Sequence, residues 1–207
     1  MQADDWTGVG EIRRTTLADG SHVDLNTDTA LALRFTPGER GIELLRGEAV
    51  FDVVPDPQRP FVVRGNGIRA RAVGTRFFVR ADGAADAVGV AEGRVNVSTP
   101  TGQVLLKAGE VASQDAVGRP IAHTSDVVRT MAWREGRLVF SGQPLSEVLA
   151  ELGRYRRGSI LLTDETVGKR RFSGTLDPRD TDAALTLLSA TLGVRVTSLT
   201  PLLVLVR

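Results

Sequence analysis

The sequence predicts a mainly β N-terminal domain followed by a small α+β domain. Short runs of alternating apolar and polar residues, separated by Gly, Asn, Asp and Pro, fill residues 9–118, and such runs are typical of short strands. The alternation stops over residues 119–132. Beyond that point, apolar runs alternate with two segments in which leucine or alanine recurs at helical spacing. We therefore expect domains at residues 1–120 and 133–207, joined by a connector over residues 121–132.

The N-terminal domain is expected to contain many short strands and no long helix. Two apolar runs, at residues 16–17 and 23–25, flank an Asp19-Gly20 pair, which is a favoured hairpin turn. Further runs follow at roughly regular spacing, and glycines separate them. This pattern is typical of a β-sandwich, a barrel or a solenoid-like structure, and the periodicity does not distinguish among these.

The first half of the C-terminal domain is expected to be a strand, a helix and a strand. Leu138–Phe140 is a short apolar run, and the Pro144 that follows it suits the first position of a helix. A helix over Pro144–Tyr155 would place four apolar residues on one face, and Ser159–Leu162 would follow as a strand. We expect that apolar face to pack in the domain's own core.

The second half of this domain repeats the pattern. The strand Arg170–Gly174 precedes a helix over Thr181–Leu192, for which Asp180 is a suitable N-cap and Gly193 a suitable stop. Two βαβ units in tandem would form a small two-layer domain. The last predicted strands are Val194–Ser198 and Leu202–Val206. The predicted core residues of the domain are Leu138, Phe140, Leu145, Leu149, Leu152, Leu185 and Leu188.

Composition excludes several classes of function. The 207-residue chain has a formal net charge of +1, which gives no support for bulk binding to nucleic acid. It contains no cysteine, so disulfides, thiolate catalysis and cysteine-based zinc sites are excluded. No apolar run reaches the roughly 18–20 residues that a membrane helix needs. The first residues also lack the charged-then-apolar pattern of a signal peptide.

The polar residues offer no set that is typical of an active site. His22 and His123 are far apart in sequence and form no metal-binding motif. Gly65-Asn66-Gly67 begins a loose G-x-G-x-x-A pattern, but the alternation after it favours a hairpin over a nucleotide-binding loop. Carboxylates between residues 43 and 56 are better explained as solvated strand faces than as a hydrolytic pair. We therefore predict no catalytic residue, no cofactor and no metal, and a protein that is not an enzyme.

Basic residues are concentrated in the C-terminal domain. Arginines near the C-terminus of a helix complement its dipole, which is the simpler interpretation. The functional alternative is a basic patch that faces an acidic partner. The residues concerned are Arg154, Arg156, Arg157, Lys169, Arg170 and Arg171.

Several motifs, taken together, resemble the periplasmic region of the FecR family. They occur in the family's order, with plausible spacing, and cover nearly the whole chain. The last of them resembles the family's C-terminal part, which is similar to the short signalling domain called STN. The motifs are GEIRRTTLADGSHVDLNTDTAL (10–31), IELLRGEAVFDVVPDPQRPFVVR (42–64), RAVGTRFFVR (71–80), VAEGRVNV (90–97), KAGE (107–110) and AWREGRLVFSGQPLSEVLAELGRY (132–155).

The resemblance implies a function in cell-surface signalling. Members of the family are transmembrane regulators, in which a cytoplasmic domain holds an extracytoplasmic-function sigma factor and one membrane helix leads to the periplasmic region. The resemblance implies that the C-terminal, STN-like domain binds the N-terminal signalling domain of a TonB-dependent outer-membrane receptor, often one for a siderophore. A periplasmic protease is an implied partner of the full-length protein. We expect this chain to be the periplasmic part, without the cytoplasmic domain that contacts the sigma factor.

The resemblance also guides the choice of candidate partner-binding residues. Exposed sheet edges are where another strand can add, and the strands Arg170–Thr175 and Leu202–Val206 are the predicted edges. The candidate partner-binding residues are Arg154, Arg156, Arg157, Arg170, Arg171, Phe172, Leu202 and Val204.

Two other classes of function are weighed beside this one. A cell-envelope protein that binds glycan or takes part in envelope assembly, with an STN-like accessory domain, is the first alternative. The chain has only two Trp and one Tyr, whereas sugar sites use aromatic platforms, so this alternative is disfavoured. An enzyme is the second alternative, and the absence of catalytic motifs argues against it.

Overall fold

A computed structural model describes residues 2–83 and 86–207. The chain divides into two compact units, Met1–Met131 and Ala132–Arg207. The first unit is built almost entirely of strands, and the second combines helices with two small sheets. The predicted fold class, a mainly β region followed by a small α+β region, is confirmed.

Thirteen strands make up the described part of the first unit. Many are only four to six residues long, as the short alternating runs in the sequence predict. In chain order they are β1 (Asp5–Trp6), β2 (Arg13–Thr16), β3 (His22–Leu25), β4 (Ala30–Phe35), β5 (Arg40–Asp52), β6 (Phe61–Gly65), β7 (Ile68–Ala72), β8 (Arg76–Ala81), β9 (Ala87–Glu92), β10 (Arg94–Thr99), β11 (Gly102–Lys107), β12 (Glu110–Gln114) and β13 (Pro120–Thr124).

The long strand β5 belongs to two sheets. Its first half pairs with β4 and, in parallel, with β6, whereas its second half pairs with β3 and β8. One sheet therefore has the order β1-β4-β5-β6-β7-β10-β11, and the other has the order β2-β3-β5-β8-β9-β12-β13. The change between sheets falls at Gly47, whose φ of +86° is in the region that favours glycine. A Cβ at this position would overlap Thr29.

The two sheets pack face to face around one core, which makes the unit a β-sandwich. Phe61 from the first sheet lies 5.6 Å from Phe51 and 6.5 Å from Phe77, which both belong to the second sheet. The Phe51 and Phe77 rings stack on each other, with their centroids 5.3 Å apart. Of the architectures that the sequence left open, the sandwich is the one formed. Other buried members of the core include Val23, Leu25, Leu31, Ile42, Val63, Val79, Val88, Val90, Val95, Val97 and Leu106.

A buried ion pair joins the β2–β3 turn to the start of β5. The Arg40 guanidinium binds Asp19 Oδ2 at 2.7 Å, and the two side chains are only 1% and 4% exposed. The Arg40 guanidinium also donates to the carbonyl oxygens of Arg59 and Val54, both at 2.8 Å, and lies 5.5 Å from the centre of the Phe61 ring. One side chain therefore holds together three segments that are distant in sequence. A buried charge of this kind is tolerated only because its donors are satisfied.

The connector predicted for residues 121–132 is not an irregular segment. Pro120–Thr124 form β13, which pairs with β12. A short helix, α1 (Val127–Thr130), follows, and its N-cap Asp126 accepts a hydrogen bond from the Arg129 amide. β13 lies at the edge of its sheet, and none of its five residues is buried. Its sequence therefore shows no clear alternation.

The second unit contains five strands and three α-helices among its described residues, preceded by a 3-10 helix at Met131–Glu135. The order of elements is the predicted one, with an additional short helix. In chain order they are β14 (Leu138–Pro144), α2 (Leu145–Gly153), β15 (Ser159–Leu162), α3 (Glu165–Gly168), β16 (Arg171–Leu176), α4 (Thr181–Leu192), β17 (Val196–Thr200) and β18 (Leu203–Val206).

The strand pairing of this unit differs from the predicted tandem βαβ units. β14 pairs antiparallel with β16 in a two-stranded sheet, and a second sheet has the order β15-β18-β17. The strands on either side of α2 thus belong to different sheets, and the βαβ prediction was wrong in this respect. Helix α2 contacts β14 and β16 of one sheet and β15 of the other. Short strands of similar composition do not reveal which of them pair.

The predicted core residues lie inside this unit. Leu138, Leu145, Leu149, Leu152, Leu185 and Leu188 are buried. Phe140 is half-buried, and its ring lies 6.1 Å from that of Phe172. Pro144 ends β14 and occupies the N-cap position of α2, one residue before the position predicted from sequence.

Removing the N-cap of α4 is expected to destabilise the second unit by about 1 kcal/mol. The Asp180 carboxylate accepts a hydrogen bond of 2.9 Å from the Ala183 amide, so Asp180→Ala leaves this amide without its partner. The measurement is the urea midpoint for unfolding of the second unit, monitored by NMR of the full chain. Asp180→Asn is the control, because the amide oxygen can still accept. Equal losses in both variants would show that charge, not the cap, matters.

Candidate partner-binding surface

The residues examined as possible catalytic groups occupy structural positions. His22 lies 3.0 Å from Thr16 in the β2–β3 hairpin, and Asp56 caps the turn that ends at Arg59. Asp52 binds Arg76 across paired strands. The residues that the structure describes contain no group of three or more His, Asp or Glu side chains that could hold a metal.

The Gly65-Asn66-Gly67 segment forms the turn between β6 and β7. Gly65 pairs with Ile68, and both Asn66 and Gly67 have positive φ. A strand follows this turn, whereas a dinucleotide site needs a helix whose N-terminus meets the phosphates. The hairpin prediction is therefore correct for this segment.

Two of the predicted arginines are partly buried and bind groups of their own unit. Arg154 binds Glu151 at 2.7 Å. Arg156 binds Asp182 at 2.7 Å and donates to the Pro201 carbonyl at 3.2 Å, and its own side chain is only 9% exposed. These contacts tie the end of α2 to the start of α4 and to the β17–β18 turn. Their role is thus structural.

The remaining arginines are more exposed. Arg170 donates to the carbonyl of Leu192 at 2.5 Å, so it binds the C-terminal end of α4, where a cation complements the helix dipole. Arg171 donates to the Gly142 carbonyl at 2.6 Å. Arg157 is exposed in the segment between α2 and β15. The structure therefore spreads the predicted basic patch over several helix ends and turns.

The apolar candidates divide into buried and exposed residues. Phe172 and Val204 are 3% and 0% exposed, so their side chains pack inside the unit and are not available to a partner. Phe172 lies in a strand between two exposed polar residues, and Val204 lies in an all-apolar strand, so neither sequence shows which side chain is buried. Leu202 is 59% exposed, in the turn between β17 and β18. Of these three, only Leu202 presents a side chain at the surface.

One of the two predicted sheet edges is wrong. The terminal strand β18 is the central strand of its sheet, because it pairs in parallel with β15 and antiparallel with β17. β16 pairs with β14 alone within the described residues, so its other side is an edge, as predicted. The edges of the three-stranded sheet are β15 and β17. The sequence could not show this, because a crossover places the last strand in the middle.

A groove lies between the edge strand β17 and helix α4. It has a volume of about 580 Å³, and its lining combines apolar and hydroxyl side chains. The groove has one charged residue, Asp182, close to the end of β17. The lining residues are Asp182, Leu185, Thr186, Ser189, Ala190, Val196 and Ser198. The sequence does not indicate this surface, because nothing in the predicted strand Val194–Ser198 shows that it lies at a sheet edge.

Surface carboxylates near these elements are held in their charged form. The hydrogen bonds from Arg179 lower the pKa of Asp177 to about 2. The Thr166 side chain and amide lower the pKa of Asp164, the N-cap of α3. Both groups are therefore anionic at neutral pH and keep their turns in place.

The chain is similar to solved structures over nearly its whole length. Two crystal structures of a candidate anti-sigma factor from Parabacteroides distasonis ATCC 8503, at 1.65 and 2.50 Å resolution, are similar over 98% of this chain. The matched regions span 97% and 96% of the chain in those structures, with TM-scores of 0.85 and 0.82, and the sequence identity is 28% in both cases. No curated protein sequence is significantly similar. Across the described residues, no helix combines the length and apolar character that crossing a membrane requires.

The β-sandwich and the α+β unit are thus shared with a class of regulatory proteins that includes a candidate anti-sigma factor. The family model for the FecR protein matches residues 4–96, so this part of the chain is similar to a FecR domain. The matched segment covers most of the sandwich, from β1 into β10.

Proposed function

We propose that this chain is the periplasmic signalling region of an anti-sigma regulator of the FecR type. Its second unit, residues 132–207, is an STN-like domain that binds the N-terminal signalling domain of a TonB-dependent outer-membrane receptor, such as a siderophore receptor. The observation that carries the proposal is the FecR match over residues 4–96, within a fold that is similar over 98% of its length to a candidate anti-sigma factor.

The arrangement of the second unit supports a binding function. Its two small sheets leave several strand edges unpaired within the described residues, including those of β16 and β17. Backbone groups at such edges can accept a strand from another protein. The exposed residues Arg157, Arg170, Arg171 and Leu202 are the candidate contacts that remain.

The regulatory chain of events is proposed on the same basis. The sigma factor is an extracytoplasmic-function sigma factor, and it binds a cytoplasmic domain of the full-length protein. Binding of the receptor in the periplasm changes the state of the FecR region, and a periplasmic protease then acts on the full-length protein. The FecR domain transmits or shields this step. No catalytic role for the chain itself is part of the proposal.

The structure gives no support to the glycan-binding alternative. Trp133 and Tyr155 are 1% and 5% exposed, so they cannot form a platform for a sugar ring. Trp6 is 58% exposed but belongs to the two-residue strand β1. A protein-binding function therefore remains the proposal.

Calorimetric titration of the full chain tests the proposal. The titrant is the purified signalling domain of the TonB-dependent receptor encoded beside this protein, and we expect saturable heat with one domain bound per chain. The same receptor without its signalling domain is the control and should give no heat. Absence of heat, together with no complex in gel filtration, would reject the proposal.

A further inference from the structure

The unpaired side of β17 has the backbone geometry of a strand acceptor. Arg195, just before β17, exchanges two hydrogen bonds with Arg207, of 2.7 and 3.0 Å. In an antiparallel ladder such pairs alternate with residues whose N–H and C=O point away. The backbone groups of Val196 and Ser198 are therefore directed away from β18. Within the described residues, β17 pairs with β18 alone.

The sequence of β17 contains none of the usual features that protect an edge. It reads VTSLT, without charge or proline, although edge strands are commonly blocked by Lys, Pro or inward-pointing charges. The edge strand β2 of the first unit offers a contrast, because its sequence is RRTT and both arginines are exposed. The lack of such residues in β17 is expected where pairing with another chain is a function.

The groove beside this edge fits the side chains of an added strand. Val196 and Ser198 line it from β17, and Leu185 and Ala190 line it from α4. A strand that continues the sheet would place every second side chain into the groove, because side chains alternate between the two faces. The groove is lined by small and apolar groups, so Val, Thr and Ser are the side chains that fit.

Charged residues near the two ends of β17 set the direction of the added strand. The Asp182 carboxylate lies near the C-terminal end of β17, since its partner Arg156 also donates to the Pro201 carbonyl. The Asp182 side chain is 80% exposed in spite of this pair. Arg195 is exposed directly before β17, at the other end of the strand. An antiparallel strand with a basic residue at its N-terminal end and an acidic one at its C-terminal end matches both charges.

We propose that the β17–α4 groove, defined by Val196–Thr200 and the lining residues of α4, binds an extended segment of the partner protein as an antiparallel fourth strand. The segment alternates small apolar or hydroxyl side chains, with a basic residue first and an acidic residue last. The proposal rests on the proposed function, for which it names the site and the form of the bound segment.

A synthetic peptide tests the groove without any receptor. The probe is the octapeptide Lys-Val-Thr-Val-Ser-Val-Thr-Glu, titrated into the ¹⁵N-labelled full chain and followed by NMR. We expect saturable shifts and slower amide exchange at Val196 and Ser198, with shifts at Leu185. A peptide with proline at its fourth position, which loses a backbone donor, should bind about tenfold more weakly or worse. Shifts confined to β15 or β16, or no shifts, would overturn the proposal.

Variants of the protein supply a second test of the groove. Ser198→Pro removes an outward N–H and should weaken binding of both the octapeptide and the receptor signalling domain by about tenfold. Ser198→Thr keeps the N–H and should bind within about twofold of the original chain. If Ser198→Pro does not fold, the proline-containing peptide decides alone.

The outcomes separate the two proposals. Full-strength receptor binding by a folded Ser198→Pro variant would overturn the groove but leave the proposed function standing. Peptide binding without receptor binding would support the groove and reject the receptor as partner. Protection of Val196 and Ser198 in a dimer of the free chain would show that a second copy occupies the edge, which would also overturn the proposal.

Discussion

Arg40→Met is expected to destabilise the β-sandwich unit by about 3–5 kcal/mol, the usual result of removing one member of a buried ion pair. Met fills part of the same volume but cannot replace the bonds to Asp19, Arg59 and Val54. The variant leaves the Asp19 carboxylate, only 4% exposed, without its cation. Chemical denaturation of the full chain, with the first unit followed by residue-specific NMR signals, measures the loss.

Arg46→Met is the matched control for this prediction. Arg46 belongs to the same strand and binds Asp28 at 3.0 Å, but both side chains are 54% exposed. An exposed pair of this kind contributes at most about 1 kcal/mol. If the two variants lose the same stability, the buried Arg40–Asp19 pair contributes no more to folding than an exposed pair does.

The acid dependence of stability gives a second readout of the same pair. Burial alone would raise the pKa of Asp19, but hydrogen bonds from Ser21 and Arg40 outweigh it and hold the pKa below the ordinary 3.8. A lowered carboxyl pKa contributes stability that is complete above 3.8 and is lost as pH falls through the folded-state pKa. The original chain should therefore lose stability below pH 3.8. Arg40→Met should lose less of it there, because one of the groups that lowers this pKa is absent.

Local signals in the sequence predicted local structure well. The Asp19-Gly20 turn joins β2 to β3, and helix α4 begins and ends where the Asp180 cap and Gly193 place it. These features depend on a few adjacent residues, whose backbone preferences and side-chain hydrogen bonds act within one turn. For this reason they can be predicted without knowledge of the rest of the fold.

Pairing between distant strands could not be predicted in the same way. β14 and β15 are both short and apolar, and nothing in either run shows that they belong to different sheets. Likewise β18 resembles an ordinary terminal strand, although it pairs on both sides. Register and neighbours are set by side-chain packing across the whole unit, and that information is not local.

The candidate site shows the same division between local and distant effects. Arg170 at the C-terminal end of α4 agrees with the dipole interpretation, which needs only helix bounds. The buried Arg40 looked like any charged residue at the start of a strand, since its carboxylate partner lies 21 positions earlier. The β17 edge was missed because its exposure depends on the position of β18.

Leu149→Asp is expected to unfold the second unit. Leu149 is 4% exposed on α2, which contacts strands of both small sheets. Loss of a buried leucine costs about 2–5 kcal/mol, and a carboxylate buried without a partner adds several more. A unit of this size has a total stability of roughly 4–11 kcal/mol. Loss of NMR signal dispersion and of amide protection from residue 132 onward, in the full chain, is the result to look for.

Ala150→Asp is the control for this second variant, because it introduces the same carboxylate one position further along α2, where the side chain is exposed. It should leave both the fold and receptor binding intact. A Leu149→Asp chain that keeps its fold but loses the receptor would contradict the prediction and would place Leu149 at the interface. Loss of fold and binding together is what a core position requires, since α2 contacts strands of both small sheets.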